Sequence, residues 1–246
     1  MNNPSYQRIV ESDYRPVSIG YPPPEIRHDE NGVWHIRSLE ALGDYPLRLT
    51  DRLVAGAREF PERTLMAARG ADGEWIRISY ADMLARVRRI GQWLLDQGLS
   101  VERPLLVLSG NDLEHIQLML AAMYVGIPYS PVSPAYSLVA TDYGKLRHIV
   151  GTVTPGAVYA ADGGPFAKAI AGAVDAGVEI ILGKGELPGR KSTAFAEVLA
   201  TEPVGADAAN AAVGPETIAK FLFTSGSTKL PKAVVTTQRM LCANQQ

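Results

Sequence analysis

The chain is poor in cysteine and histidine. Its single cysteine, Cys242, cannot form an internal disulfide, so the sequence is typical of a protein of a reducing compartment, and we expect it in the cytoplasm. Nothing around Cys242 suggests a nucleophile, and burial as a small apolar side chain is the simpler interpretation. The histidines, His28, His35, His115 and His148, lack the close spacing of metal ligands. We therefore expect no metal site formed by the protein itself.

The sequence also lacks an excess of either charge and a long apolar run. Its 24 basic and 26 acidic residues give a net charge of −2, so we expect neither nucleic acid nor a membrane as a partner. The longest apolar stretch, near residues 116–129, contains Gln117 and Gly126, and the N-terminus has no apolar segment typical of a signal peptide. No pattern in the sequence indicates an oligomeric state.

Helical and strand patterns alternate along the chain from residue 46 onward, and an apolar content of 46% is enough for a core. Strands are predicted at 104–108, near 129, at 157–160 and at 178–182, and helices at 80–97, 113–123, 142–153 and 165–175. This alternation predicts an α/β fold, with a mostly parallel sheet flanked by helices. Ligand-binding loops of such a sheet gather at the carboxyl ends of its strands.

Several local features accompany this alternation. Residues 1–45, which are rich in proline and charge, are predicted to form an irregular N-terminal arm. Residues 64–69 and 74–79 predict a hairpin, and residues 183–214 a peripheral connection with a short helical run near 194–200. Ser79 and Asn111 are the predicted N-caps of two helices. The tyrosines Tyr136, Tyr143 and Tyr159 are interpreted as core residues rather than as the lining of a binding cleft.

The most informative segment is FLFTSGSTKLPKAVVTT, from Phe221 to Thr237. Residues 218–223 are nearly all apolar, which suits a strand buried on both faces, and β-branched residues resume at 233–237 as a second strand. Between the strands, hydroxyl side chains surround Gly226, which permits a tight turn with backbone N–H groups aimed at an anion. Pro231 stiffens the exit of this loop. The candidate phosphate-binding residues are Thr224, Ser225, Gly226, Ser227, Thr228, Lys229 and Lys232.

An ordinary surface turn is the alternative interpretation of this loop, because Ser, Thr and Gly are common in turns. The order of the residues favours phosphate binding, since hydroxyl side chains lie on both sides of a glycine and a Pro-Lys pair precedes the second strand. The loop differs from a Walker loop, whose Gly-Lys-Ser/Thr leads into a helix, because Lys232 leads into a strand pattern.

FTSGSTKLPKAV, from Phe223 to Val234, resembles the phosphate-loop motif of the adenylate-forming superfamily of acyl-CoA synthetases and adenylation domains. Most members have glycine at the positions of Lys229 and Ala233. The Lys-Leu-Pro-Lys-Ala variant is similar to the bacterial feruloyl-CoA synthase branch, and so are PYSPVSPAYSL, from Pro128 to Leu138, and KLRHI, from Lys145 to Ile149. The resemblance covers only the first part of such enzymes. We expect residues 46–246 to be the N-terminal part of an AMP-binding domain, truncated after the phosphate loop.

The resemblance implies an AMP-forming acid–CoA ligase of phenylpropanoid degradation. In such an enzyme a carboxylate, here a hydroxycinnamate such as ferulate, attacks the α-phosphorus of ATP, and the acyl-adenylate passes its acyl group to coenzyme A. ATP, Mg²⁺ and coenzyme A are the implied cofactors and cosubstrates. The implied ligands of the β- and γ-phosphates are Thr224, Ser225, Gly226, Ser227 and Thr228. Lys232 is implied to follow the departing pyrophosphate as the catalytic lysine, and Lys229 is hypothesised to add a second cation.

Several alternatives stay open. The chain could belong to a synthetase for another aromatic or fatty acid, to a domain that loads a carrier protein, or to a phosphotransferase that releases ADP. It could also be a non-catalytic nucleotide-binding fragment. The resemblance implies further motifs and a catalytic lysine after Gln246, so we expect the chain alone to be inactive. Gln238 stands where many relatives have histidine, so the role of that histidine in the acyl pocket is not carried over to this chain.

Overall fold

A computed structural model describes residues 24–224 and 230–245, and the chain divides into two units, residues 1–44 and 45–246. In the first unit, β1 (Pro24–His28) and β2 (Trp34–Ser38) form an antiparallel hairpin. The Asp29 carboxylate accepts hydrogen bonds from the N–H groups of Asn31 and Val33 in its turn. This hairpin differs from the irregular arm that we predict, because the Asp29 turn joins two segments with alternating apolar residues.

The second unit contains a seven-stranded sheet and a separate hairpin. Its strands are β3 (Thr64–Arg69), β4 (Trp75–Ser79), β5 (Leu105–Leu108), β6 (Tyr129–Pro131), β7 (Ala157–Ala160), β8 (Glu179–Leu182), β9 (Thr193–Ala194), β10 (Ile218–Thr224) and β11 (Lys232–Thr237). The sheet order is β11-β10-β6-β5-β7-β8-β9, and its neighbours are parallel except for β10 with β11. Strands β3 and β4 pair with each other, as predicted.

Helices lie between the strands. They are α1 (Asp51–Glu59), α2 (Tyr80–Asp96), α3 (Leu113–Tyr124), α4 (Gly144–Val153), α5 (Gly163–Ala173), α6 (Phe195–Val198), α7 (Ala206–Ala212) and α8 (Gln238–Ala243), with a π-helical turn at Ala135–Val139. None of the helices described is long and apolar enough to cross a membrane. The predicted α/β fold with a mostly parallel sheet is confirmed.

The core occupies both faces of the sheet, as the alternation of β5 shows. Leu105 and Val107 belong to a cluster with residues of α2 and α3, while Leu106 and Leu108 belong to a second cluster with residues of α4 and α5. A strand with helices on both faces is apolar at successive positions, since both of its faces are buried.

Helix α2 begins as predicted, with Ser79 Oγ accepting a hydrogen bond from the Asp82 N–H at 3.1 Å. The prediction of Asn111 as the N-cap of α3 is wrong. Asp112 is the cap, and its carboxylate accepts a hydrogen bond from the His115 N–H at 2.7 Å. Asp112 has the extended backbone of an N-cap residue, and both residue types favour this position, so composition alone does not choose between them.

Residues 183–214 are not a peripheral connection. Strand β9 extends the sheet beside β8, and α7 packs against α2 and α3. The buried Asn210 donates a hydrogen bond from Nδ2 to the Tyr124 carbonyl at 2.8 Å, and the Tyr124 hydroxyl donates to Asp207 at 2.6 Å. Helix α7 is mostly alanine, and such small side chains let its backbone approach α3 closely.

Strand β10 is less buried than its apolar sequence predicts. Ala219 is fully buried, but Leu222 is 42% exposed. Strand β10 is the second strand from one edge of the sheet, next to β11. The expectation of a strand buried on both faces is wrong for β10.

Candidate functional site

The loop after β10 lies at the carboxyl edge of the parallel sheet. Strand β10 runs parallel to β6, with Lys220 opposite Tyr129, and β6 is parallel to β5. Thr224, at the end of β10, is therefore on the same edge as the carboxyl ends of the central strands. This is where the α/β pattern places a ligand-binding loop.

Thr224 and Lys232 flank this loop and are paired in the β10–β11 ladder. The Thr224 hydroxyl donates to the Lys232 carbonyl at 3.4 Å, and both residues are exposed. The structure thus brings together the first and the last residue of the predicted site. The other predicted site residues, Ser225, Gly226, Ser227, Thr228 and Lys229, lie outside the described residues.

The exit of the loop is held by a contact that the sequence does not reveal. Pro231 is buried, and its carbonyl lies 2.9 Å from His148 Nε2 of α4. A carbonyl only accepts hydrogen bonds, so the ring nitrogen is the donor. The residues are 83 positions apart, which explains why His148 reads in the sequence only as an isolated histidine.

A cleft of about 430 Å³ adjoins the loop at Leu230. It follows the carboxyl end of β6 and is lined by Ala135, Tyr136, Val139, Ala140, Asp142, Gly144 and Lys145, together with Leu230. The Lys145 ammonium lies 5.2 Å from the centre of the Tyr136 ring, which suits a cation–π contact. Tyr136 therefore lines a cleft rather than lying wholly in the core. In the sequence, Tyr136 belongs to the segment PYSPVSPAYSL, which resembles the feruloyl-CoA synthase branch.

Two tyrosines of the central sheet strands keep their protons because they are buried. Burial raises the pKa of Tyr129 to about 12. The pKa of Tyr159 is raised well above its ordinary value, chiefly by burial and also by the Asp112 and Glu114 carboxylates. Both phenols are therefore neutral at physiological pH and do not act as bases. Tyr159 is a core residue, in agreement with its interpretation from the sequence.

Comparison with known proteins identifies the family and the fold. Residues 53–246 match the family described as AMP-binding enzyme. The chain belongs to this family. AMP-binding enzymes form the adenylate-forming superfamily, so the resemblance carried by Phe223 to Val234 is confirmed at the level of the superfamily.

The chain is also similar to individual proteins. It is 29% identical over 198 residues to N-(5-amino-5-carboxypentanoyl)-L-cysteinyl-D-valine synthase of Streptomyces clavuligerus, a match that covers 78% of this chain and 22% of the synthase. Among solved structures, the luciferase-like enzyme of the mealworm Zophobas morio has a TM-score of 0.59 at 21% identity, and the match covers 78% of this chain and 43% of that enzyme.

A second solved structure is the fatty acyl-adenylate ligase from L. pneumophila in complex with acyl adenylate and pyrophosphate. Its TM-score is 0.55 at 19% identity, over 78% of this chain and 30% of the ligase. At these identities the structural matches establish the fold. The chain spans less than half the length of each of these proteins.

Gln238, which stands where many relatives have histidine, is fully buried at the start of α8. Its side-chain oxygen accepts a hydrogen bond from the Leu49 N–H at 3.0 Å, and its amide nitrogen lies 3.5 Å from the Met123 carbonyl. Gln238 therefore ties α8 to the segment before α1 and to the end of α3, which is a structural role.

Proposed function

We propose that this chain is the first part of an ATP-dependent acid–thiol ligase, with residues 46–246 belonging to its AMP-binding domain. The observation that carries the proposal is the position of the loop between Thr224 and Lys232. In a chain of the AMP-binding family, this loop follows a parallel strand at the sheet edge where ligands bind.

The proposed reaction has two steps. A carboxylate oxygen of the acid attacks the α-phosphorus of ATP, the bond to the bridging oxygen of pyrophosphate breaks, and pyrophosphate leaves with its electron pair. The thiolate of coenzyme A then attacks the acyl carbon, and AMP leaves. Negative charge concentrates on the phosphoryl oxygens in the first step, so oriented donors and cations stabilise its transition state more than its ground state.

The loop residues supply these donors in the proposal. Lys232 offers an exposed ammonium group at the loop end of the hairpin. The Thr224 hydroxyl, which donates to the Lys232 carbonyl, would rotate away from that carbonyl to donate to a phosphate oxygen. Ser225, Gly226, Ser227 and Thr228 would add hydroxyl and backbone N–H donors to the β- and γ-phosphates. Lys229 would add a second cation.

Mg²⁺ would enter with ATP as the magnesium complex. No group of three or more His, Cys, Asp or Glu side chains that would hold a metal ion occurs in the part of the chain that the structure describes. Mg²⁺ commonly binds proteins through substrate phosphates and few side chains, so this donor set fits a metal carried by the nucleotide. The metal would neutralise charge on the phosphates.

For the acid, we propose a hydroxycinnamate such as ferulate. Support comes from the likeness of Pro128 to Leu138, Lys145 to Ile149 and the Lys-Leu-Pro-Lys-Ala segment to the feruloyl-CoA synthase branch. An amino acid is the second candidate, favoured by the 29% identity to a synthase named for a product built from amino acids. In that case a carrier-protein thiol would replace coenzyme A.

Nucleotide binding is tested on the chain itself by isothermal titration with MgATP. We expect saturable binding that competes with pyrophosphate, because both ligands present the same phosphate groups to the loop. Absence of ATP binding by a folded chain would overturn the proposal. We also propose that the isolated chain shows no acid-dependent exchange of pyrophosphate into ATP.

The acid is tested on the full-length protein that contains this chain. Ferulate, a long-chain fatty acid and a set of amino acids are compared in the pyrophosphate exchange assay, and the nucleotide product is identified. AMP as the product supports a ligase, while ADP indicates a phosphotransferase. Exchange that depends on an amino acid and not on ferulate would replace the hydroxycinnamate with the second candidate.

A further inference from the structure

His148 supports the predicted phosphate loop from outside it. Its Nε2 donates a hydrogen bond of 2.9 Å to the carbonyl of Pro231, the residue just before Lys232. Proline has no backbone N–H, so its carbonyl is the only backbone group through which a hydrogen bond can hold this residue. Among the described residues, the last pair of the β10–β11 ladder before the loop is Thr224 with Lys232, and Pro231 precedes the first residue of β11.

The other side of the loop is anchored on the same part of the core. Phe223, the residue before Thr224, packs against the core cluster that contains Leu146 and Ile149 of α4. The entry of the loop is therefore supported by a core cluster to which α4 contributes, and its exit by the His148 side chain of α4. Of these two supports, only the hydrogen bond fixes the position of a backbone atom next to Lys232.

We propose that His148 is a positioning residue for the phosphate loop, which fixes the backbone at Pro231 and so directs the Lys232 ammonium group toward the nucleotide. This inference rests on the proposed function, since it assumes that Lys232 contacts phosphate. His148 does not touch the nucleotide in the proposal. Its contribution reaches ATP only through the position of the backbone that carries the lysine.

The chain offers a matched control on the same helix. Arg147 also donates a side-chain hydrogen bond to a backbone carbonyl, from its guanidinium group to Gly172 at 3.3 Å. Gly172 belongs to α5 and not to the loop. Arg147→Ala therefore removes a comparable bond from α4 without altering the support of Pro231.

The test compares wild type, His148→Ala, His148→Gln and Arg147→Ala in the full chain. We expect His148→Ala to raise the Kd for MgATP by up to about 5-fold, because loss of one net hydrogen bond lowers the fraction of chains whose loop is held ready to bind. Gln places an amide N–H near the position of Nε2, so His148→Gln should bind within about 2-fold of wild type. Arg147→Ala should bind as wild type. Rescue by Gln separates the hydrogen bond from a general loss of packing.

A second measurement does not depend on ATP. Hydrogen exchange of the backbone N–H groups of Lys232 and Ala233, followed by NMR, should accelerate in His148→Ala and not in Arg147→Ala. Unchanged exchange together with unchanged ATP affinity in His148→Ala would overturn the inference. A wild-type chain that binds no ATP would overturn the proposed function and the role toward phosphate, while the exchange data would still decide whether His148 holds Pro231.

Discussion

Thr224 and Lys232 are opposite each other at the loop end of the β10–β11 hairpin, and the Thr224 hydroxyl donates to the Lys232 carbonyl. This bond uses the backbone of the lysine and leaves its side chain exposed at the loop. The pair fixes the width of the hairpin at the point where the candidate phosphate loop begins and ends. Because the Lys232 side chain takes no part in this bond, its charge can be removed by substitution without breaking the bond.

Lys232→Ala should weaken the binding of MgATP by about 10-fold or more, because a hydrogen bond to a charged group contributes more than a neutral one. The measurement is isothermal titration at fixed salt concentration, since salt screens exposed charges. Lys220→Ala is the matched control, because Lys220 lies on β10 toward the other end of the hairpin, opposite Thr236. Equal affinities of the two variants would contradict a role for Lys232 at the phosphates.

Asn210→Leu should lower the free energy of unfolding by about 2 kcal/mol. The substitution removes the Nδ2 donor to the Tyr124 carbonyl and leaves a buried acceptor without its partner. Urea unfolding, followed by circular dichroism, measures the change. Asn244→Leu is the control, since Asn244 is exposed after α8 and its substitution should change the stability little. A loss of the same size in both variants would argue against the Asn210 bond as the cause.

The stability contributed by Asp207 should depend on pH. A hydrogen bond from the Tyr124 hydroxyl, and then the Arg88 guanidinium group, lower the pKa of Asp207 below its ordinary value. A carboxylate with a lowered pKa stabilises the fold above the pKa of the unfolded chain, roughly 3.9, and this contribution is lost as the pH falls through the folded value.

Asp207→Asn should therefore be less stable than wild type at pH 7, and the difference should shrink below about pH 4. Unfolding in urea across this pH range measures the difference between the two proteins. Glu202→Gln serves as the control, because the Glu202 side chain is 79% exposed and its contact with Arg89 is long, at 3.8 Å. If the difference in the free energy of unfolding between wild type and Asp207→Asn stayed the same at low pH, packing and not the charge of Asp207 would be its cause.

Two glycines should respond in opposite ways to substitution by alanine. A Cβ atom at Gly163 would lie 2.5 Å from the Glu186 carbonyl oxygen, a backbone atom that cannot move aside easily. Gly163→Ala should therefore lower the free energy of unfolding by about 2 kcal/mol. A Cβ atom at Gly151, within α4, would have no tertiary neighbour within 4 Å, so Gly151→Ala should raise stability by about 0.5 kcal/mol. Thermal unfolding compares the two variants with wild type. A Gly163→Ala variant as stable as wild type would contradict the close approach of Gly163 to the Glu186 carbonyl.

Most elements of the second unit follow from local sequence. The strand predicted at 157–160 coincides with β7, and the helix predicted at 80–97 ends one residue later than α2. Ser79 caps α2 as predicted. These elements combine a strong apolar period with a clear capping or turn residue, so short-range interactions specify them.

Two of the errors occur where the outcome depends on distant residues, whereas the N-cap at Asp112 and the hairpin around Asp29 are local. Asn210 and Tyr124 are 86 positions apart, and their bond places α7 on α3 in a region whose composition predicts a surface connection. The exposure of Leu222 reflects the place of β10 beside the edge strand. Neither relationship leaves a periodic signal in the neighbouring sequence.

The amino-acid sequence by itself determined the α/β alternation, the Thr224 to Lys232 loop and the likeness to the adenylate-forming superfamily, because each depends on residues close together in the chain. The tertiary structure decided the strand order, the cleft at Tyr136 and Lys145, and the support of Pro231 by His148. Those features arise when residues far apart in sequence meet at one edge of a sheet, and packing of the whole core selects the residues that meet.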